Sequence, residues 1–301
     1  MSNNIVLIKA KKTAYERSMD IVENDIVLSI NKGIKRLRET VSLKKLEQEL
    51  EKGLVTYFDK IIDWNILIDI FEEEIKKAIT DGVILGAKNE LKKLKPIIKA
   101  VDTGLDKIIP EIPFTLENPR IKSYLAKRSQ EMSYLMVNSN VEVIETVVRL
   151  NFNRGYTPRQ IANVVRGSIG LNKRQAIAVD NLTNSLRERG LSESLINKQT
   201  KSYSERLINS RAKMIARTEV MTAVNTGQKE VWNEAFNGGY LKKGEYVKEW
   251  NTALDDMVCE YCEPLDGVTV GVDEPFPSPL GDVDTPPLHA SCRCLSSLKR
   301  S

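Results

Sequence analysis

Cys259-Glu-Tyr-Cys262 and His289-Ala-Ser-Cys292-Arg-Cys294 contain every cysteine and the only histidine of this 301-residue chain. Structural cysteines scattered by chance would not collect at one end beside the sole imidazole, so the five side chains read as one site. Two thiolates separated by two residues can both face inward from a tight turn and take one edge of a Zn2+ tetrahedron. The second cluster supplies the other edge, and a Cys-x-x-Cys pair followed by His-x-x-Cys-x-Cys is a zinc pattern. Five candidates compete for four positions. Cys259 and Cys262 are expected ligands, and spacing leaves open which two of His289, Cys292 and Cys294 complete the shell. Four protein ligands imply a closed, structural site rather than a catalytic one with an open position. Two disulfides are the competing reading. They need an oxidising compartment and ordinarily a secretory signal, and Met1-Ser-Asn-Asn opens neither a basic start with an apolar run nor a cleavage site.

The residues around the cysteines suggest a small module. Tyr246-Val-Lys-Glu-Trp250 alternates like a short strand, and Val268-Thr-Val270, reached through Asp266-Gly267, reads as another. Pro275 to Pro287 is a loop rich in proline, glycine and aspartate, which a bound metal would order. Asp255 and Asp256 precede the first pair and are expected to cap its turn rather than ligate. Arg293, between two possible ligands, is expected to offset thiolate charge or form a salt bridge. Trp232 and Trp250 read as core anchors, since 6% aromatic residues are too sparse for a base-stacking surface.

Upstream the period is helical. Val27, Ile30, Ile34, Leu37 and Val41 recur at steps of three and four and predict an amphipathic helix from Asp25 to about Leu50. Ile68, Phe71, Ile75 and Ile79 predict a second, from about Trp64 to Lys95, ending before Pro96, with Asp81-Gly82 and Gly86 as candidate breaks. Asp102-Thr-Gly104, Pro110, Pro113 and Pro119 then interrupt the pattern. Helices resume through Leu125, Met132, Ile144 and Val148. Thr157-Pro158 and Asn172 mark helix starts, and Ser192 caps a helical region running, with one break allowed, past Arg217 and Trp232 to Gly238-Gly239. The expected organisation is a helical arm over 1–100, a linker over 101–119, a helical middle over 120–238 and a zinc-clamped module of short strands and loops over 239–301. The fold class is α+β.

Composition narrows the function. Net charge is +4, from 45 basic and 41 acidic residues, and does not announce a nucleic-acid binder. With 29% charged residues, interleaved in sign, the chain suggests long solvated helices. No apolar run of about 18 residues predicts a membrane span, and a reducing host cytoplasm is the expected compartment.

The C-terminal half resembles the phage Mu F-like minor head proteins, the phage head morphogenesis family. The residues that carry the resemblance are Ile215-Ala-Arg217-Thr218-Glu219 with Asn225, then Trp250-Asn-Thr-Ala-Leu-Asp255-Asp256-Met-Val-Cys259-Glu-Tyr-Cys262. Leu265-Asp266-Gly267 and Pro286-Pro287-Leu-His289-Ala-Ser-Cys292-Arg293-Cys294 follow, and the segment Gly155 to Ala162 is similar as well. The similarity spans about 120–296; Ala290 stands where many members have proline. It implies a minor capsid component of a tailed bacteriophage, located in the virion at the portal vertex or procapsid interior. The implied partners are portal, scaffold or capsid protein, and in some members packaged double-stranded DNA. Arg217, Glu219, Trp250 and Asp255 are expected to support the zinc site, with Arg217 free to dock an acidic partner on the module or elsewhere.

Enzyme readings fare poorly. A zinc deaminase needs His-x-Glu ahead of Pro-Cys-x-x-Cys, whereas here the pair comes first and Val258 stands in the proline position. A histidine-dependent nuclease needs a general base beyond its metal ligands, and His289 is committed. Some Mu F-like segments are joined to ADP-ribosyltransferase domains, but no such domain is expected here, and Glu72-Glu-Glu74 lies on a charged helix face. The expected role is architectural, without turnover. The alternatives are a zinc-ribbon-like nucleic-acid-binding protein and, further off, a nuclease. Against the ribbon, residues 255–284 are acidic, and the basic residues lie mainly on the preceding helices.

Overall fold

Polar caps set where most helices begin. The computed structural model describes residues 13–53, 61–101 and 112–301, so Met1-Ser-Asn-Asn and residues 102–111 of the expected linker lie outside the described residues. In α1 (Ala14–Thr40) the Thr13 hydroxyl accepts from Glu16 N while the Glu16 carboxylate accepts from Thr13 N, satisfying two free donors reciprocally. α1 stops at Val41 and α2 (Leu43–Glu51) restarts from the Ser42 cap, so the seam expected to reach Leu50 is two helices. α3 (Asn65–Ile70) passes through one π-helical turn, Phe71–Ile75, into α4 (Lys76–Val101). Pro96 does not end α4 but lies inside it. Its ring removes one amide donor, and burial of Leu94 and Ile98 in the apolar cluster around Trp232 offsets that loss.

α5 (Pro119–Asn153) begins from an Asn118 cap. α6 (Pro158–Ser168) and α7 (Lys173–Glu188) begin from reciprocal caps, Thr157 with Gln160 and Asn172 with Gln175. α8 (Glu193–Asn237) runs 45 residues without a break, and Ser192 occupies its cap position without a side-chain bond. After it the chain turns through Gly239, whose φ of +73° suits a residue without Cβ.

α8 is the axis of the molecule. One apolar cluster joins it to α1, α4, α5 and α6 through residues such as Ile26, Ile34, Val83, Val147, Val165, Ala216 and Val224. The N-terminal helices therefore share a core with the middle of the chain. α4 crosses α8 at backbone contact: a Cβ on Gly86 would strike the Val224 carbonyl, and one on Gly227 the Val83 carbonyl. The glycines read as helix breaks are thus a packing site inside an unbroken helix. The turn between α6 and α7 is clamped by two arginines, Arg38 Nε donating to Ile169 O at 3.0 Å and Arg211 Nη1 to Gly170 O at 3.0 Å. Burial pushes both guanidiniums down to about 10.

Past α8 the sheet forms in the order β2-β1-β3, all antiparallel. β1 (Tyr246–Asn251) is central, with Lys248 facing Val270 of β2 (Thr269–Gly271) and Leu298 of β3 (Leu295–Arg300). The α+β class holds. Among the described residues no helix is long and apolar enough to cross a membrane.

Candidate metal centre

The first cysteine pair sits on a turn that its own backbone closes. Cys262 N and Glu263 N both donate to Cys259 O, at 3.0 and 2.9 Å. Asp255 fixes the approach: its Oδ1 accepts from Met257 N at 3.0 Å, and its carboxylate takes a bidentate pair from Arg293 at 2.6 and 2.5 Å. That pair holds the Asp255 carboxyl down at about 2. Asp266 orders the far side by accepting from Thr252 N and Oγ1.

The second cluster is carried on a turn in which Cys292 N donates to His289 O at 3.1 Å. Ser291 takes a φ of +62°, and its N–H donates to Thr218 Oγ1 on α8 at 2.9 Å. Two turns further along, Asn225 Oδ1 accepts from Ser296 N at 2.9 Å and Ser296 Oγ at 3.1 Å, pinning β3 to the helix. Trp250, fully buried, closes the site with an edge-on Phe276 whose ring centroid lies 5.2 Å away.

These elements bring all five candidates together. The ligand atoms of Cys259, Cys262 and His289 lie within 4.8 Å of one another, as do those of Cys262, Cys292 and Cys294, so Cys262 belongs to both groups. His289 Nε2 is 2.9 Å from Cys259 Sγ and 3.2 Å from Cys262 Sγ, and Cys262 Sγ is 3.8 Å from Cys292 Sγ. A tetrahedral zinc with bonds of about 2.3 Å to sulfur and about 2.0 Å to nitrogen needs S···S edges of about 3.8 Å and S···N edges of about 3.5 Å. The Cys262–Cys292 edge meets that requirement, and the imidazole would open outward by about half an ångström. His289 Nδ1 lies 2.9 Å from Ala290 O. A proton on Nδ1 leaves the Nε2 lone pair facing the sulfurs, the tautomer a metal takes.

The thiols are electrostatically unequal. A hydrogen bond from Cys294 is the main force holding Cys292 down at about 5, while burial and the neighbouring Cys292 charge push Cys262 up to about 12. Cys294 is raised by the same bond to Cys292 and by burial, with the Trp250 indole acting in the opposite direction. For Cys259, backbone N–H groups of Cys262 and Tyr261 outweigh burial and favour the thiolate. A single cation would relieve this crowding of sulfur, because thiolates are the species that bind metal.

The supporting residues divide their contacts. Arg217 pairs with Glu23 on α1 at 3.1 Å, and Glu219, 5% exposed, pairs with Arg128 on α5 at 2.6 Å. Thr218, between them, is the member that touches the cysteine loop. Successive helix positions point about 100° apart, so three adjacent residues reach three different elements. Sequence reasoning considered all three and named the charged pair, not the hydroxyl, as the support. It also missed Lys248, fully buried on β1, whose Nζ donates to Asp284 Oδ1 and Asp284 O at 2.7 Å each. Lys229 of α8 pairs with the other Asp284 oxygen. The proline-rich loop is thus tied down by two lysines, and the alternation of Tyr246 to Trp250 was the available sign that Lys248 faces inward.

The family model described as phage Mu protein F like protein matches residues 142–297, just over half of the chain. That span begins within α5 and ends within β3, taking in all five candidate ligands and the whole of α8. No curated protein and no solved structure matches.

Proposed function

This chain belongs to the phage Mu protein F like family, and from that premise we propose that it is a minor head protein of a tailed bacteriophage, acting during head morphogenesis at the portal vertex or procapsid interior. Its role is architectural and involves no turnover. Portal, scaffold or capsid protein is the partner class. The observation that carries this reading is the coincidence of the family match with one structural unit, the long helix α8 and the cysteine-rich module docked on it through Thr218 and Asn225.

The module's cation is zinc, held by Cys259, Cys262, His289 and Cys292. The 3.8 Å Cys262–Cys292 edge and the orientation of His289 Nε2 support this set. Cys294 stays outside it, hydrogen-bonded to Cys292. A closed shell of three thiolates and one imidazole supplies fold stability and offers no position to a substrate.

A second reading, contact with packaged DNA, is favoured by the charge of one region. From Arg154 to Arg217 thirteen lysines and arginines stand against four acidic residues, and such a face would bind phosphate without regard to sequence. Mass spectrometry of purified procapsids and virions tests the principal reading. The chain is expected in both, at low copy relative to the major capsid protein. Its absence from both particles would sink the assignment.

A further inference from the structure

The module carries charge of the opposite sign to the basic helices. From Gly239 to Ser301 eleven acidic residues stand against six basic ones. Each region also presents a feature of definite shape.

On the basic side, a cleft of about 600 Å3 opens between α1, α6, α7 and the N-terminal half of α8. Its floor is apolar, including the buried Ile34 and Ile208. Arg38, Arg166, Arg187 and Lys201 line it, opposed by Glu39 and Glu205. Arg38 donates only to neutral acceptors, the carbonyls of Gly167 and Ile169 and the Ser204 hydroxyl. Arg187 Nη1 is buried and lacks an acceptor among the described residues. An occupant that suits this cleft has an apolar tip and carboxylates beside it.

On the acidic side, the loop entering the metal site is such an object. Leu254 is 80% exposed and Met257 78% exposed, with Tyr261 beside them at 41%. Asp256 and Glu260 are exposed between them. Leu254 has a φ of +50°, a left-handed conformation that a leucine side chain disfavours. The Asp255 bonds to Met257 and Arg293 hold the next residue in place. An outward-facing leucine kept in a disfavoured backbone is a candidate contact residue.

The two features cannot meet within one copy. The Leu254–Tyr261 loop is tied by Asp255–Arg293 to the turn that Ser291 fixes to Thr218 of α8, and the cleft lines the same unbroken helix from Asn209 back to Asn197, about 14 to 32 Å from Thr218 at 1.5 Å per residue. We propose that the Leu254–Tyr261 loop of one copy seats in the α1–α6–α7–α8 cleft of a second copy, so that the chain associates head to tail. The contact is heterologous: every open assembly keeps one loop and one cleft unused, at its two ends, and copies add until a ring closes. This association stands apart from the head-protein reading and holds whether or not the chain is found in virions.

Sedimentation of the full zinc-loaded chain tests it. Wild type is expected to self-associate at low salt, with affinity falling at least about tenfold towards 1 M salt as the acidic-on-basic attraction is screened. Leu254→Asp/Met257→Asp removes the loop contact and Arg166→Glu/Lys201→Glu the cleft contact, and each is expected to sediment as a monomer. Mixed in equal amounts they should form a one-to-one heterodimer and nothing larger, because one of the two possible contacts remains intact. Leu254→Asn, at ease in the left-handed backbone, is the mild variant and should weaken association without loss of thermal stability. A monomeric wild type at low salt, or either double variant associating like wild type, would overturn the proposal. So would two folded variants that fail to pair.

Discussion

At the residue scale the most exacting demand falls on Lys248. Its side chain is 1% exposed and relies on Asp284 both for a carboxylate and for a backbone carbonyl. Removing the carboxylate strands the buried ammonium, but Asp284 is itself half exposed and its carbonyl is retained, so Asp284→Asn is expected to destabilise the module by about 2 kcal/mol. Lys248→Met, which removes the charge itself, should cost less. Urea denaturation of the two variants checks this, and equal losses would refute it. The same carboxyl sets a pH dependence. Burial alone would raise it, but Lys229 and Lys248 outweigh burial and hold it below the ordinary aspartate range. A depressed folded-state value contributes stability above the unfolded pKa of about 3.9, and that stability is lost as pH falls through the folded value. Wild type should therefore weaken more than Asp284→Asn between pH 5 and pH 3. Alternation put Lys248 on the face of Tyr246 and Trp250, but the pairing itself was not legible in the sequence, because a lysine ordinarily points to water and its partner lies 36 residues away.

Elements owe their relative placement to a few small residues. Gly86→Ala or Gly227→Ala would drive a methyl into a facing carbonyl at the α4–α8 crossing, with an expected loss of about 3 kcal/mol. Gly167→Ala, in a helix and with nothing within 4 Å of its Cβ position, should gain up to about 1 kcal/mol. Thermal melts of the three variants test the contrast. Helix starts at Thr157 and Asn172 were readable because a cap is a local bargain between neighbouring residues. Pro96, Gly82 and Gly86 misled for the complementary reason: their local cost is real, and distant packing against α8 overrides it. β3 was missed because Leu-Ser-Ser-Leu-Lys-Arg carries no clear alternation, and its identity as a strand comes from β1 and Asn225.

For the whole molecule, stability is expected to divide at the end of α8. The helical part has a large shared core, whereas the metal module has a small one centred on Trp250, Leu265 and Phe276, with three of the cysteines among its buried members. A chelator should give a separate low-temperature transition seen by tryptophan fluorescence, while most of the far-UV helical signal persists. Cys262→Ser should reproduce that transition, and Cys294→Ser should retain bound zinc. A chain that holds no metal and melts identically with chelator would refute this. The cluster itself was legible because all its ligands lie on two short segments, whereas the choice among them depends on how a turn is folded. The unbroken course of α8 has one further consequence. It acts as a clock hand for the module: each residue inserted between Thr218 and Val224 would rotate the Thr218 contact with the cysteine loop by about 100° relative to the α4 crossing and the Asn225 contact. Changes of length in that helix are therefore confined to near-whole turns, while substitutions on its outer face are free of that constraint.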